Sequence, residues 1–327
     1  MKVCLKNVLD VVSVLVGTIV GAGFATGNEI YQFFVRFGSF GYVLVGVFFV
    51  GMFAFTFKIM HLANKFQACS LDELSKKVFG EKFAFVVNNI IYLSFFIFAS
   101  VMVSAMESVA GFWGVAIMVA LGFVLCIKER RGILIANQFI IPLIFVYLFL
   151  LYINGATFVP RVEFGWWQLL GVFGVFYYIA LNELISLGSL LVVLHKCNCK
   201  ELVLSAFLGC TVLSVMIVFV MAILNNYQFS AIHMPLKDVA SLIGGFFPAF
   251  TLLILFCTIF TTFLSSAFGL YKKIKTTFRY PILIFILTIL LCYLLSFVGF
   301  SNLIQYAYNI VGFVALFVSL CFLFVKK

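Results

Sequence analysis

Gly17-Thr18-Ile19-Val20-Gly21-Ala22-Gly23-Phe24-Ala25-Thr26-Gly27-Asn28-Glu29 lies inside an apolar segment long enough to cross a bilayer, yet it holds four glycines and ends on a carboxylate. Glycine in a helix interior exposes backbone and loses the most conformational entropy on folding. An ionisable side chain at membrane depth is costlier still and marks a functional position by default. A span that keeps both is either packed very closely against its neighbours or broken at the glycines. Small-xxx-small packing through Gly17/Gly21 and Gly23/Gly27 accounts for the glycines alone; a break accounts for them and for the polar end of the run.

The surrounding chain sets the context. It has 327 residues, of which 65% are hydrophobic and 10% charged, with a mean hydropathy of +1.25. Soluble domains carry roughly 25% charged residues, so the composition is that of an all-α polytopic membrane protein. Ten apolar spans are drawn at 8–35, 39–61, 82–107, 110–127, 133–154, 168–194, 201–224, 246–270, 281–299 and 302–325. Each is near or above the ~20 residues a spanning helix needs. Counting loops alternately from an inside N-terminus places eighteen of the 21 Lys and Arg on one side and only Arg36, Arg161 and Lys237 on the other. By the positive-inside rule both termini are expected in the cytoplasm. The net charge of +10 therefore reads as topology, and no nucleic-acid partner is expected.

The basic, then apolar N-terminus resembles a secretory signal only superficially, because its apolar stretch is too long and no small-residue cleavage site follows. The nine cysteines fall in cytoplasmic loops, at cytoplasmic helix ends or within spans, so reduced thiols are expected. His195-Lys196-Cys197-Asn198-Cys199 has metal-ligand residue types at a spacing that matches no zinc pattern, and no metal or other cofactor is expected. The chain carries no Ser/His/Asp set, no His-Glu-x-x-His and no phosphate loop, so it does not read as an enzyme.

Two connecting segments are alike. Ser70-Leu-Asp-Glu-Leu-Ser-Lys-Lys-Val-Phe-Gly80 and Pro235-Leu-Lys-Asp-Val-Ala-Ser-Leu-Ile-Gly-Gly245 share a pattern at an offset of 165 residues. Shifting spans 2 to 5 by that offset overlays them on spans 7 to 10, which divides the chain into two five-span repeats, 1–157 and 158–327. An odd number of spans per half forces the second half to enter from the opposite face. The expected architecture is thus a 5+5 inverted repeat of ten transmembrane helices with helices 1 and 6 discontinuous, as in secondary transporters. The same shift sets Gly17–Gly23 against Asn182–Gly188.

The polar residues of the spans supply the candidate sites. Tyr178, Asn182, Ser186 and Ser189 share one face of span 6, with Glu183 beside it. They form either a helix-packing stripe or a cavity wall, and the ionisable Glu183 favours the wall. Ser100 and Ser104 share a face of span 3 and are weaker cavity candidates. Thr258, Thr261, Thr262, Ser265 and Ser266 crowd into nine residues of span 8. Such hydroxyls either bond back to their own helix or, with free carbonyls from a broken span 1, offer oxygen ligands to a hard cation. Glu29 either faces the substrate path or pairs with Arg36, and Asp10 is expected to be solvated or to interact with the helix dipole. Asn302, Gln305, Tyr306 and Asn309 line either an entry path or a wet helix end.

Gly17-Thr-Ile-Val-Gly21-Ala-Gly23-Phe24 resembles the Gly-x-Ile-Ile-Gly-x-Gly-Ile/Phe signature in the broken first helix of amino acid–polyamine–organocation (APC) transporters. The longer run through Ala25-Thr26-Gly27-Asn28-Glu29-Ile30, with Gln32-Phe33-Phe34, is similar to the bacterial YkvI-like membrane proteins of that superfamily. The resemblance covers the chain in architecture and span 1 in specific motif. It implies a fold of the leucine-transporter type, with a sodium site from Gly17, Val20 and the span 8 hydroxyls Thr261, Thr262, Ser265 and Ser266. It implies a substrate site at Gly21, Ala22, Gly23 and Phe24, with the facing part of span 6 around Ala180–Glu183. Some relatives replace sodium with a Lys in span 5; span 5 here has none. Glu183 departs from the aromatic and small residues usual in that span, which leaves it as a coupling group for H+ or a substrate contact.

The expected function is secondary active transport of a small organic solute, most readily an amino acid or related amine, by Na+- or H+-coupled alternating access. The substrate-binding candidates are Gly21, Ala22, Gly23, Phe24, Ser100, Ser104, Tyr178, Asn182, Glu183 and Ser186; Glu29 and Glu183 are the gating or coupling candidates. A membrane ligand sensor that keeps a transporter fold without translocating is the alternative, and a passive channel a third.

Overall fold

A computed structural model describes residues 3–155, 166–194, 197–225, 234–303 and 309–325, and in it the glycine-rich stretch divides into three helices. α1 (Leu5–Ile19) ends at Val20, α2 (Ala22–Thr26) follows, and α3 (Asn28–Phe33) completes the segment. The interruption at Val20–Gly21 is a true one: Gly21 is extended (φ −99°, ψ −163°), and its N–H donates back to Ile19 O (2.8 Å). Gly27, at φ +81°, sits where a side chain would be strained, and it swings α3 off the axis of α2. The choice between close packing and a break falls to the break. Packing contributes as well, since a Cβ at Gly21 would lie 2.5 Å from Thr262 Oγ1.

The remaining elements are α4 (Phe40–Lys65), α5 (Leu71–Phe79), α6 (Glu81–Ile127), α7 (Arg130–Gly155), α8 (Leu170–Val193), α9 (Cys199–Leu224), α10 (Pro235–Ile243), α11 (Phe247–Thr277), α12 (Pro281–Ser296), α13 (Phe300–Leu303) and α14 (Asn309–Leu323). Six of them, α4, α6, α7, α8, α9 and α11, are long and apolar enough to cross a membrane. α12 and most of α14 are shorter apolar helices. α6 is 47 residues long and turns at Gly111, whose φ of +61° lies outside the helical region. That turn falls at the start of the span read from sequence as 110–127, just after the one read as 82–107. Large apolar side chains point outward along these helices, among them Phe85, Phe139, Phe173 and Phe313. Water would not tolerate such a surface, and acyl chains would. The chain is a multi-pass α-helical membrane protein.

α8 is the most enclosed of the six, with 83% of its most apolar window buried against 28% for α6. It packs against α1, α4, α11 and α14, so the bundle is organised around α1 and α8. α8 runs without interruption, which corrects the expected discontinuity of helix 6. No glycine or proline lies between Val175 and Leu187, and two of its polar side chains bond within the helix: Asn182 Nδ2 donates to Tyr178 O (2.9 Å) and Ser186 Oγ to Glu183 O (2.8 Å). Gly188 serves packing instead, because a Cβ there would stand 2.8 Å from Ser265 O on α11.

Two nine-residue helices, α5 and α10, each follow a 26-residue helix and each end at a glycine of positive φ, Gly80 (+79°) and Gly244 (+78°). The structural register therefore matches Gly80 with Gly244, one residue away from the sequence offset of 165. Ser70 caps α5 from outside, its Oγ accepting from Glu73 N at 3.3 Å, whereas Pro235 is the first residue inside α10. Pro suits that position because its missing N–H would have no helical partner there. α5 lies at the C-terminal end of α11, where Lys273 Nζ bonds Asp72 Oδ2 (2.9 Å); α10 leads directly into the N-terminal end of α11. The two short helices thus sit at opposite ends of one long helix.

Asp10 is also corrected. It is buried and ties α1 to α7 by accepting from Gln138 Nε2 (2.7 Å) and from Arg130 Nη2 (3.5 Å). A carboxylate so placed is held by its partners and not by solvent.

Candidate functional site

The break in α1 brings a backbone with unspent hydrogen-bonding capacity against α8 and α11. Thr18, one turn before the break, is buried and donates its hydroxyl to Val14 O (2.7 Å). Its oxygen also lies 3.0 Å from Ser189 Oγ of α8 and 2.9 Å from Ser265 Oγ of α11. With its one hydroxyl proton given to Val14 O, Thr18 can accept from both serines; Ser189 Oγ also lies 3.5 Å from Ser186 O, to which it can donate instead. Thr262 Oγ1 reaches Thr18 O (3.4 Å) across the same junction. The result is an oxygen-rich cluster from three helices, buried beside the interrupted turn.

Of the residues expected to line an ion site, Thr262 and Ser265 come to this cluster. Thr261 donates to Thr258 O within its own helix (3.0 Å). Ser266 is buried with no hydrogen-bond partner among the described residues. Val20 is at the break, while Gly17 faces α7, pressed against the Asn137 amide. Asn137 Nδ2 donates to Ile133 O (3.0 Å) and its Oδ1 is buried without a partner among the described residues. Thr18, Ser189 and Asn137 were not singled out for the ion cluster from sequence. Thr and Ser are unremarkable in membrane helices, and only the break one turn beyond Thr18 gives that hydroxyl its meaning.

Asn182 and Glu183, adjacent in sequence, point to different neighbours. Asn182 lines a small void with Glu29, Phe33, Phe98, Tyr178, Leu181 and Ile185, with room for little more than a water molecule. Tyr178 is packed by aromatic rings on its other sides: Phe33 stacks on it at 4.9 Å, and Phe48 and Phe34 lie at 5.8 and 5.9 Å. Glu29 folds back against Gly23, and the Arg36 guanidinium lies over Phe37 at 4.9 Å. Gly21, Ala22, Gly23 and Phe24 are buried at the break and in α2. Ser100 and Ser104 are brought to α12 instead: Ser104 Oγ donates to Ser296 O (3.0 Å), and Ser100 bonds to Phe96 O (2.9 Å). Gln305, Tyr306 and His195 lie outside the described residues.

Glu183 is fully buried and faces α4, where the Thr56 hydroxyl donates to its Oε1; Oε2 has no partner among the described residues. Cys210 of α9 is a second titratable group near it, and Thr56 interacts with both. Replacing Thr56 with Val would remove the donor and keep the shape. That variant is expected to lose about 1–3 kcal/mol of stability, with Thr56→Ser retaining most of it. Thermal unfolding of the purified variants in one detergent checks this.

A wide cavity of about 480 Å³ opens at the end of the bundle that carries α5. α5, α6, α8 and α11 line it, with Asp72, Lys76, Tyr92, Lys272 and Lys273 at its mouth and Gly188 and Gly269 deeper in.

No family profile matches the chain. It is 27% identical over 326 residues to the uncharacterized membrane protein YkvI of Bacillus subtilis, across 93% of this chain and 91% of that protein. It is 24% identical over 332 residues to the uncharacterized protein YyaD of the same species, across 94% of each. This supports kinship with YkvI-like membrane proteins over nearly the whole length. Neither relative carries an assigned activity.

Proposed function

We propose that the protein is a secondary active transporter of a small organic solute, an amino acid or related amine, working by alternating access coupled to Na+ or H+. The observation that carries this reading is the broken α1, whose interruption meets an oxygen cluster from α8 and α11. Membrane proteins leave helical backbone irregular at depth only where it is buried in protein or lines a cavity, and discontinuous helices at mid-span are a hallmark of solute and ion sites in transporters. Thr262, Ser265 and Thr18 O would offer hard oxygen ligands to Na+, and Glu183 would take the coupling proton if the ion is H+. The small void at Asn182 and Glu29 is the closed substrate chamber in this reading. The aromatic cap around Tyr178 shuts it from one side, and the α5-end cavity approaches it from the other.

The same reading takes α4–α5–α6 and α9–α10–α11 as equivalent parts of a 5+5 inverted repeat. The α5 end, with its surplus of Lys, would be cytoplasmic in a bacterial inner membrane, together with both termini. Purified protein in liposomes, screened against radiolabelled amino acids and polyamines, is expected to accumulate one class against its gradient only when a Na+ or proton gradient is imposed. Saturable binding with no accumulation under either gradient would replace the transporter with a ligand sensor, and non-saturating, gradient-insensitive flux would mark a channel.

A further inference from the structure

The α5-end cavity stops at a close crossing of α8 and α11. A Cβ on Gly269 would lie 3.3 Å from the Gly188 backbone, and one on Gly188 would lie 2.8 Å from Ser265 O. The two backbones are therefore in van der Waals contact with no side chain between them. The edge of the crossing is filled from α6: the Phe95 ring would be 2.6 Å from a Cβ on Gly269 and 3.2 Å from one on Gly188. Phe95 is buried and at the same time borders the cavity. On the far side of the crossing, Ser265 and Ser189, the residue after Gly188, bond to Thr18. The ring of Phe95 therefore closes the edge of the crossing that lies between about 480 Å³ of open space and the oxygen cluster.

We propose that Phe95, seated over Gly188 and Gly269, is the gate between the α5-end cavity and the α1 break, and that it opens by swinging into the cavity it borders. The swing needs no expansion of the bundle, because the ring moves into existing space. Neither glycine accepts a larger residue without displacing the ring, so the two glycines form its seat. The ring is held in turn by a chain of contacts to the protein surface. Tyr92, one turn earlier on α6, meets Phe95 edge to face at 6.0 Å. Lys273 Nζ lies 5.1 Å over the Tyr92 ring and bonds Asp72 of α5. Lys272 Nζ bonds Cys69 O (2.7 Å) just ahead of α5. Movement of α5 away from α11 would release Lys273 from Asp72, then Tyr92, then Phe95.

The inference rests on the transport reading for its purpose, but its test reads the barrier itself. Ser189→Cys reports access to the cluster. A membrane-impermeant, trimethylammonium-bearing thiosulfonate is applied to sealed vesicles from the face on which the exposed Cys4 and Cys199 react. Modification at position 189 is followed by mass spectrometry of its peptide. With Phe95 present the reaction is expected to be slow; Phe95→Ala should speed it tenfold or more, and Phe95→Leu at least threefold. Application from the opposite face should show no such gain. The Leu variant keeps an apolar side chain on the seat and decides alone if the Ala variant does not accumulate. Rates within twofold of the parent, at unchanged Cys199 labelling, overturn the gate. A protein that never accumulates solute but shows the faster reaction would lose the transporter reading and keep the barrier.

Discussion

Glu183→Gln is expected to insert and fold as the parent does, yet to lose at least tenfold in coupled uptake or to lose its response to the driving gradient. The glutamine keeps an oxygen for the Thr56 hydroxyl and nearly the same volume, so packing between α8 and α4 survives. What it removes is the ability to change charge. A fully buried carboxyl with one oxygen that has no partner among the described residues is expensive to keep for structure alone, since polar groups buried without partners cost about 1–3 kcal/mol each. An ionised carboxylate there would cost more without a cation beside it. Its persistence on the most enclosed helix is explained if binding and release of a proton at that place is part of the working cycle. The measurement is initial uptake into proteoliposomes under separately imposed Na+ and proton gradients, with detergent monodispersity as the control for folding. Parental rates with unchanged ion dependence in the Gln variant would remove Glu183 from the mechanism. A lost proton response with a retained Na+ response would assign it to H+ alone.

The position of Glu183 also shows where sequence reading reaches its limit. The glycine run Gly17–Gly27 announced an irregular helix because each Gly costs stability that only geometry can justify, and the break falls inside it at Val20–Gly21. The paired segments after α4 and α9 were legible too, since a short amphipathic helix closed by glycine leaves a pattern in eleven residues. Helix 6 misled for a physical reason. Asn182, Ser186 and Gly188 look like breakers in a list, but Asn and Ser satisfy themselves on the preceding turn, and Gly188 is there for the approach of α11. A period of 3.6 residues places Asn182 and Glu183 about 100° apart, enough to send one to the void at Phe33 and the other to Thr56. Nothing in a single sequence says which neighbour each direction meets. Ser104 illustrates the same gap: its helical spacing with Ser100 was right, and the partner it faces is α12.

Thr18→Val carries the second large effect, because one hydroxyl joins three helices at the break. Valine matches threonine in shape, so the α1 backbone and the Thr262–Thr18 O contact remain. Ser189 and Ser265 lose the acceptor they share, and both are fully buried. Stability is expected to fall by about 1–3 kcal/mol from that alone. The sharper readout is ionic. If the cluster holds a cation, the parent should unfold at a higher temperature in sodium chloride than in choline chloride, by the stabilisation a ligand gives when it binds only the folded state: about 2.7 kcal/mol at 100 times its dissociation constant. Thr18→Val and Ser265→Ala should each lose more than half of that sodium-specific shift, while Thr261→Ala, whose hydroxyl is bonded within its own helix, should keep it. A shift of equal size in all four proteins would place the cation elsewhere. A parent with no sodium-specific shift would make the three hydroxyls a helix clamp, leaving Glu183 as the coupling group. The two variants therefore divide the coupling question: a sodium dependence would show at Thr18, where α1 breaks, a proton dependence at Glu183, where α8 meets α4, and each can fail without the other.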